Sequence, residues 1–249
     1  MPAVYDEEIF FQQYAQMARS REGLSGAGEW PQFRAMFPSL KGKAVLDLGC
    51  GYGWHSLYAA QAGAAEVLGI DASGKMLGYA REHNAHAHIE YRLCTVEEYT
   101  YPPARFDCVI SNLVLHYVAQ LAPVFAGVYR CLRPDGVFLL NIEHPVFTGS
   151  AGQRWILGEN GEKYWPVDRY FEPGARTMGF LGCPVVKQHH TLTQILMGLL
   201  SEGFCLEAVE EAMPPKEWMS LAGMEDELRR PMMLLVRARK GASGCCAQE

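Results

Sequence analysis

The chain has 249 residues, 49% of them hydrophobic and 20% charged, with a formal net charge of -6, which suits one globular domain carrying an insertion. No cluster of Lys or Arg forms the basic stripe that nucleic acid requires, so DNA and RNA are excluded as partners. The first eight residues are acidic where a secretory signal is basic, and no apolar stretch approaches a membrane span, so a soluble cytoplasmic protein is expected, as monomer or homodimer.

Residues 1–40 read as an N-terminal helical cap: an amphipathic pattern over about 7–19 is interrupted at Gly23, Gly26 and Gly28. Over 41–144 short apolar runs alternate with helical stretches. Strands are predicted at 44–48, 66–70, 89–93, 108–111 and 136–142, and helices at 54–62, 73–84 and 119–132. Such alternation predicts an α/β fold with a parallel sheet. The run Leu132-Arg133-Pro134-Asp135-Gly136 reads as a turn into the fifth strand.

Residues 145–188 are rich in Gly, Pro and aromatics, including Trp155, Tyr164, Trp165, Tyr170 and Phe171, and read as an insertion. It forms either a lid over a substrate or a small core of its own. Over 189–240 the pattern resumes, with a helix at 191–203 and strands at 204–209 and 232–238, the last pairing antiparallel at the end of the sheet. Residues 241–249 read as a flexible tail holding Cys245 and Cys246. The other cysteines, Cys50, Cys94, Cys108, Cys131, Cys183 and Cys205, stand singly without metal-ligand spacing and read as small buried hydrophobes, so no metal is expected.

The most informative segment is Ala44-Val45-Leu46-Asp47-Leu48-Gly49-Cys50-Gly51-Tyr52-Gly53, a buried strand that runs into glycines before a helix. Gly49, Gly51 and Gly53 allow a tight turn and a close approach of backbone to ligand. The third glycine falls one place early for a dinucleotide loop, and no Lys-Ser or Lys-Thr is present to cradle phosphate. The next strand ends at Asp71, where a carboxylate can accept both hydroxyls of a ribose. A glycine turn, a ribose acid and no phosphate chemistry point to a nucleoside carrying an amino acid, a description that S-adenosylmethionine meets.

At this point the chain resembles the class I S-adenosylmethionine-dependent methyltransferases. VLDLGCGYGWHS is similar to that family's first motif, GIDASGKML to its second, and FDCVISNLVLHYV with LRPDGVFLLNIEHP to its fourth and fifth. More narrowly it resembles a bacterial small-molecule group of the type 11 kind. The resemblance implies a Rossmann-like seven-stranded sheet, mostly parallel with the last strand antiparallel, and helices on both faces. It also implies that Gly49, Cys50, Gly51 and Gly53 touch the methionine portion, Asp71 the ribose, and Ala72 and Met76 the adenine surroundings. Asp47 serves the cofactor, pins the loop, or does both, since the two roles are compatible. Thr95 and Val96 stand where the family usually has an acidic residue at the adenine amine. Asn112 and Leu113 flank the methyl, and Tyr14 and Arg19 close over the cofactor carboxylate.

Methyl transfer from a sulfonium chiefly needs alignment and exclusion of water, and a base only where the nucleophile is protonated. His144 is the first candidate for that base, with His116, Glu143, His189 and His190 as further ones. The expected acceptor is a small molecule with an oxygen, nitrogen or carbon nucleophile. The rival readings are a nucleotide-dependent oxidoreductase on the same sheet, which the glycine spacing disfavours, and a non-catalytic cofactor-binding module.

Overall fold

The computed structural model describes residues 3–150 and 152–241; Cys245 and Cys246 lie outside them. The N-terminal part holds three short helices, α1 (Glu8–Ala15), α2 (Ala18–Arg21) and α3 (Trp30–Ala35). The single helix expected over 7–19 is split because Met17 is extended (φ -63, ψ 144) and caps α2. Strands and helices then alternate as β1 (Ala44–Leu48), α4 (Trp54–Gln61), β2 (Glu66–Asp71), α5 (Gly74–His83), β3 (Ile89–Leu93), β4 (Phe106–Asn112), α6 (Leu121–Cys131) and β5 (Leu132–Glu143). Beyond β5 come α7 (Pro145–Thr148), the hairpin β6 (Ile156–Leu157) and β7 (Lys163–Tyr164), and the longer hairpin β8 (Gly174–Phe180) and β9 (Cys183–His189). The chain returns through α8 (Leu192–Ser201), β10 (Phe204–Glu211) and β11 (Met233–Lys240).

One seven-stranded sheet has the order β10-β11-β5-β4-β1-β2-β3. The neighbours from β3 to β5 pair in parallel, while β11 is antiparallel to both β5 and β10. The last strand therefore lies inside the sheet and not at its end. Its run Leu234, Leu235, Val236 and Ala238 is wholly buried, which needs neighbours on both edges and cover on both faces. β10, whose exposure alternates along its length, suits the edge.

Alternate residues of the central strands feed two cores. Leu46, Leu68, Val109 and Phe138 face α6 and α8, whereas Val45, Val67, Cys108 and Leu139 face α3 and α4. Each fully buried side chain of this kind contributes roughly 1.5–3 kcal/mol. The turn expected over 132–136 is drawn into β5, because Leu132 pairs with Phe106; the ladder then slips before Val137 meets Cys108, and Asp135 takes up the slack at φ 62. The cysteines divide: Cys50, Cys108 and Cys131 are buried, Cys94 and Cys183 half-buried, and Cys205 exposed on the edge strand.

A third core closes the carboxyl ends of the strands. Tyr5 and Phe10 from the N-terminal segment meet Val185 of β9, Tyr52 of the glycine turn and Met76 of α5. Phe180 at the tip of β8 lies 5.8 Å from the Phe10 ring. The N-terminal helices and the β8–β9 hairpin thus arch together over the sheet edge where the glycine turn emerges.

Candidate active site

A cleft of about 1170 Å³, its open mouth included, lies beneath that arch. Sheet order sets its sequence of walls, since the ends of β1, β4 and β5 are neighbours. The end of β1 supplies Gly49, Cys50 and Gly51; the end of β4 supplies Asn112 and Leu113; the end of β5 supplies Glu143. Tyr14 and Arg19 of the cap and Phe180 and Lys187 of the hairpin complete it.

The three glycines do different work, although all have positive φ. A Cβ on Gly49 would lie 2.3 Å from Val114, and one on Gly53 2.2 Å from the Tyr91 hydroxyl, so these two serve close packing. A Cβ on Gly51 would meet no atom within 4 Å. Its open side belongs to the cleft, and two polar atoms beside it, the Tyr52 hydroxyl and Trp54 Nε1, are buried without a hydrogen-bond partner. Buried polar groups are nearly always paired, so these orphans leave hydrogen-bonding capacity unused next to the bare main chain.

Two buried acids hold the turn. Ser56 donates to Asp47 Oδ2 at 2.6 Å, and burial raises the Asp47 carboxyl to about 7. Asp47 does not line the cleft; of its two expected roles the geometry carries the pinning one. Asp71 accepts the Gly51 amide at 2.9 Å and the Ser73 amide at 2.8 Å, and burial raises it to about 6 despite those bonds.

Past β4 the backbone is strained. Leu113 sits at φ 56, a conformation that costs a branched residue about 1–3 kcal/mol. It is held there because its amide donates to the Asn141 carbonyl at 2.8 Å, while Asn141 Nδ2 donates to Asn112 Oδ1 at 2.8 Å. Asn112 and Leu113 thereby meet the cleft midway between the glycine turn and Glu143. In the cap, Arg19 donates to both Glu29 carboxylate oxygens at 3.1 Å, which fixes its guanidinium at the cleft wall.

Of the expected bases His116 and Glu143 reach the cleft. His144 caps α7 instead: its Nδ1 accepts the Val146 amide at 3.1 Å and its Nε2 lies 3.0 Å from Glu211. His189 bridges Thr148 at 2.8 Å and the Tyr170 carbonyl at 2.9 Å, which uses both ring nitrogens, and His190 Nε2 bonds the Val118 carbonyl at 2.9 Å. These three histidines are tied into the structure away from the cleft lining. Gly53, Ala72, Thr95 and Val96 also lie off the cleft, and Asp71 stands behind its wall, both carboxylate oxygens bonded to the Gly51 and Ser73 amides. Thr95 turns back on Glu98 at 2.9 Å, and Val96 packs in the core. Met76 lines the cleft from α5.

Trp155, Tyr164, Trp165, Tyr170 and Phe171 of the insert do not line the cleft. Trp165 stacks on Phe147 with centroids 5.3 Å apart, Trp155 meets its edge at 5.3 Å, and the Arg230 guanidinium lies 4.5 Å from the Trp165 centroid. Tyr164 and Phe171 face solvent. The residues missed at the sequence level are Lys187 and Phe180, with Tyr5, Tyr52, Trp54 and Tyr117. Lys187 had a faint signal, since the period of two in β9 puts Val185, Lys187 and His189 on one buried face.

Comparison with known proteins follows the same lines. A model of the "methyltransferase domain" family matches residues 46–140. A candidate S-adenosylmethionine-dependent methyltransferase from Listeria monocytogenes, known by crystal structure, superposes with a TM-score of 0.83 at 44% identity over 88% of this chain and 99% of its own. An S-adenosylmethionine-dependent methyltransferase from Mesorhizobium loti gives a TM-score of 0.82 at 40% identity over 87% of this chain and 100% of its own. An uncharacterized protein from Haemophilus influenzae is 29% identical over 96% of this chain and 97% of its own.

Proposed function

Because the chain belongs to the class I S-adenosylmethionine-dependent methyltransferases, we propose that it methylates an oxygen, nitrogen or carbon nucleophile of a small molecule held between the ends of β4 and β5. S-adenosylmethionine, when bound, supplies a methyl group on a sulfonium, already activated for in-line displacement. The chain's own residues do the rest. Gly51 offers bare main chain to the methionine portion, Asp71 accepts from the ribose hydroxyls, and Arg19 and Tyr14 stand where the cofactor carboxylate is closed over. Asn112 and Leu113 border the methyl, and the arch of cap and hairpin excludes water from the reacting atoms.

The observation that carries this reading is the pairing of two sets of unsatisfied polar atoms in one cleft. Tyr52 and Trp54 stand at the glycine end, and His116 and Glu143 at the β5 end. One ligand satisfies the first set, and a second, smaller one the other. In this reading residues 1–40 form a cap, 41–144 and 189–240 the cofactor domain, and 145–188 an insertion that reaches the acceptor through Phe180 and Lys187. Among the described residues the six cysteines have no disulfide partners, which suits a reducing compartment such as the cytoplasm.

Calorimetric titration tests the cofactor half: S-adenosylhomocysteine gives saturable heat and NAD none. Transfer of labelled methyl from the donor into a small-metabolite extract tests the acceptor half. Label found only in macromolecules argues against a small acceptor, and no transfer at all favours a non-catalytic module.

A further inference from the structure

The β5 end of the cleft holds three ionisable side chains that the cofactor does not need. Lys187 Nζ donates to Glu143 Oε1 in a tight ion pair, with the lysine and glutamate side chains only 3% and 12% exposed. His116 Nε2 lies 3.9 Å from the same oxygen, beyond hydrogen-bonding distance. Burial, only partly opposed by Glu143, lowers the His116 imidazole to about 4, so it is uncharged at neutral pH. Glu143 Oε2 and His116 Nδ1 are buried and have no partner. Lys187 Nζ has spare protons and lies 5.0 Å from the Phe180 ring centroid.

Charge balance here is selective. The carboxylate and the ammonium cancel, and the imidazole adds nothing, so the corner offers no net charge to a ligand. An ionic acceptor entering it loses its hydration without a counter-charge, a penalty that hydrogen bonds do not offset. An uncharged molecule loses far less, and its polar edge can satisfy groups that are otherwise unpaired. The chemistry left over is a lone pair on Glu143 that requires a donor, and ammonium protons on Lys187 that require an acceptor.

We propose that Glu143, Lys187 and His116 form the acceptor-recognition corner and select an uncharged molecule whose edge carries an N–H or O–H donor beside a carbonyl-type acceptor, as in a lactam-like nitrogen heterocycle. The donor faces Glu143 Oε2, the carbonyl faces Lys187, and the flat body of the molecule lies against Phe180. The inference rests on the methyltransferase reading above, since it takes the rest of the cleft to be the cofactor's.

The test uses the purified full chain saturated with S-adenosylhomocysteine and three probes of similar size, 2-pyridone, benzoate and benzylammonium, titrated by ligand-observed NMR. In the wild type 2-pyridone binds about tenfold more tightly than either ion. Glu143→Gln leaves an uncompensated ammonium and moves the preference to benzoate; Lys187→Met leaves a carboxylate and moves it to benzylammonium. The double variant Glu143→Gln/Lys187→Met is again neutral and binds neither ion preferentially. Undetectable 2-pyridone binding, an ion binding as well as 2-pyridone in the wild type, or an unaltered ranking in folded single variants overturns the proposal. Should the single variants not fold, the wild-type ranking decides alone. Failure of S-adenosylhomocysteine itself to bind is a separate result and overturns the cofactor reading instead.

Discussion

The Asp71 carboxylate accepts the Gly51 amide at 2.9 Å and so ties the end of β2 to the glycine turn that follows β1. The same carboxylate accepts the Ser73 amide at the start of α5. One buried acid therefore shapes the turn and, in the proposed function, grips the ribose.

Replacing Asp71 by Ala is expected to act on both roles. Affinity for S-adenosylhomocysteine falls by roughly 1.5–3 kcal/mol, the worth of a hydrogen bond to a charged group, and the free protein loses about 1–3 kcal/mol from amides left unpaired. Calorimetry and urea unfolding read the two separately. An unchanged dissociation constant removes the ribose assignment.

The glycines separate by what lies in front of them. Gly49→Ala drives a methyl into Val114 and lowers the melting temperature strongly, because both the backbone strain and the clash must be relieved. Gly51→Ala carries only the left-handed strain, about 1–2 kcal/mol, and its methyl enters the cleft. We expect it to retain most of its stability and lose cofactor affinity. The reverse ranking of the two variants in thermal melts contradicts this division.

Buried imidazoles set the acid limb of stability. His55 is lowered to about 3 and His116 to about 4, and His144, His189 and His190 are also lowered, each chiefly by burial. A lowered imidazole means that the unfolded chain binds more protons. Their stabilisation is complete above the unfolded value near 6.5 and is lost as pH falls toward 4. Asp47 and Asp71 act with the opposite sign, since raised carboxyls favour the folded state as pH falls from about 7. The histidines outnumber them, so urea midpoints should drop between pH 6.5 and 4. Asp47→Asn steepens that drop and His116→Asn makes it shallower.

Arg230 pairs with Glu227 at 2.8 and 3.0 Å while lying over Phe147, Trp155 and Trp165. Arg230→Ala removes cation–π contacts worth about 0.5–2 kcal/mol each and exposes the aromatic cluster. Hydrogen exchange should quicken over residues 145–165 while S-adenosylhomocysteine affinity is kept, because none of these side chains lines the cleft. Faster exchange spread evenly over the sheet counts against a private core.

Much of this protein is decided by short-range pattern. The strand, glycine turn and helix around Gly49, Gly51 and Gly53, and the acid closing β2 at Asp71, are legible because each depends on neighbours a few residues away. So is the alternation that yields a parallel sheet, where local backbone geometry and periodicity leave little choice. What the cleft's far end contains is another matter. His144 and His116 look alike in a sequence, and only packing shows one capping a helix turn and the other facing the cleft. Lys187 stands 44 residues beyond its partner Glu143, in a hairpin whose position over the sheet follows from the meeting of Phe10, Phe180 and Val185. Side chains so far apart in sequence meet only after the cores have formed, so long-range packing, and not local propensity, determined which charges face the cleft.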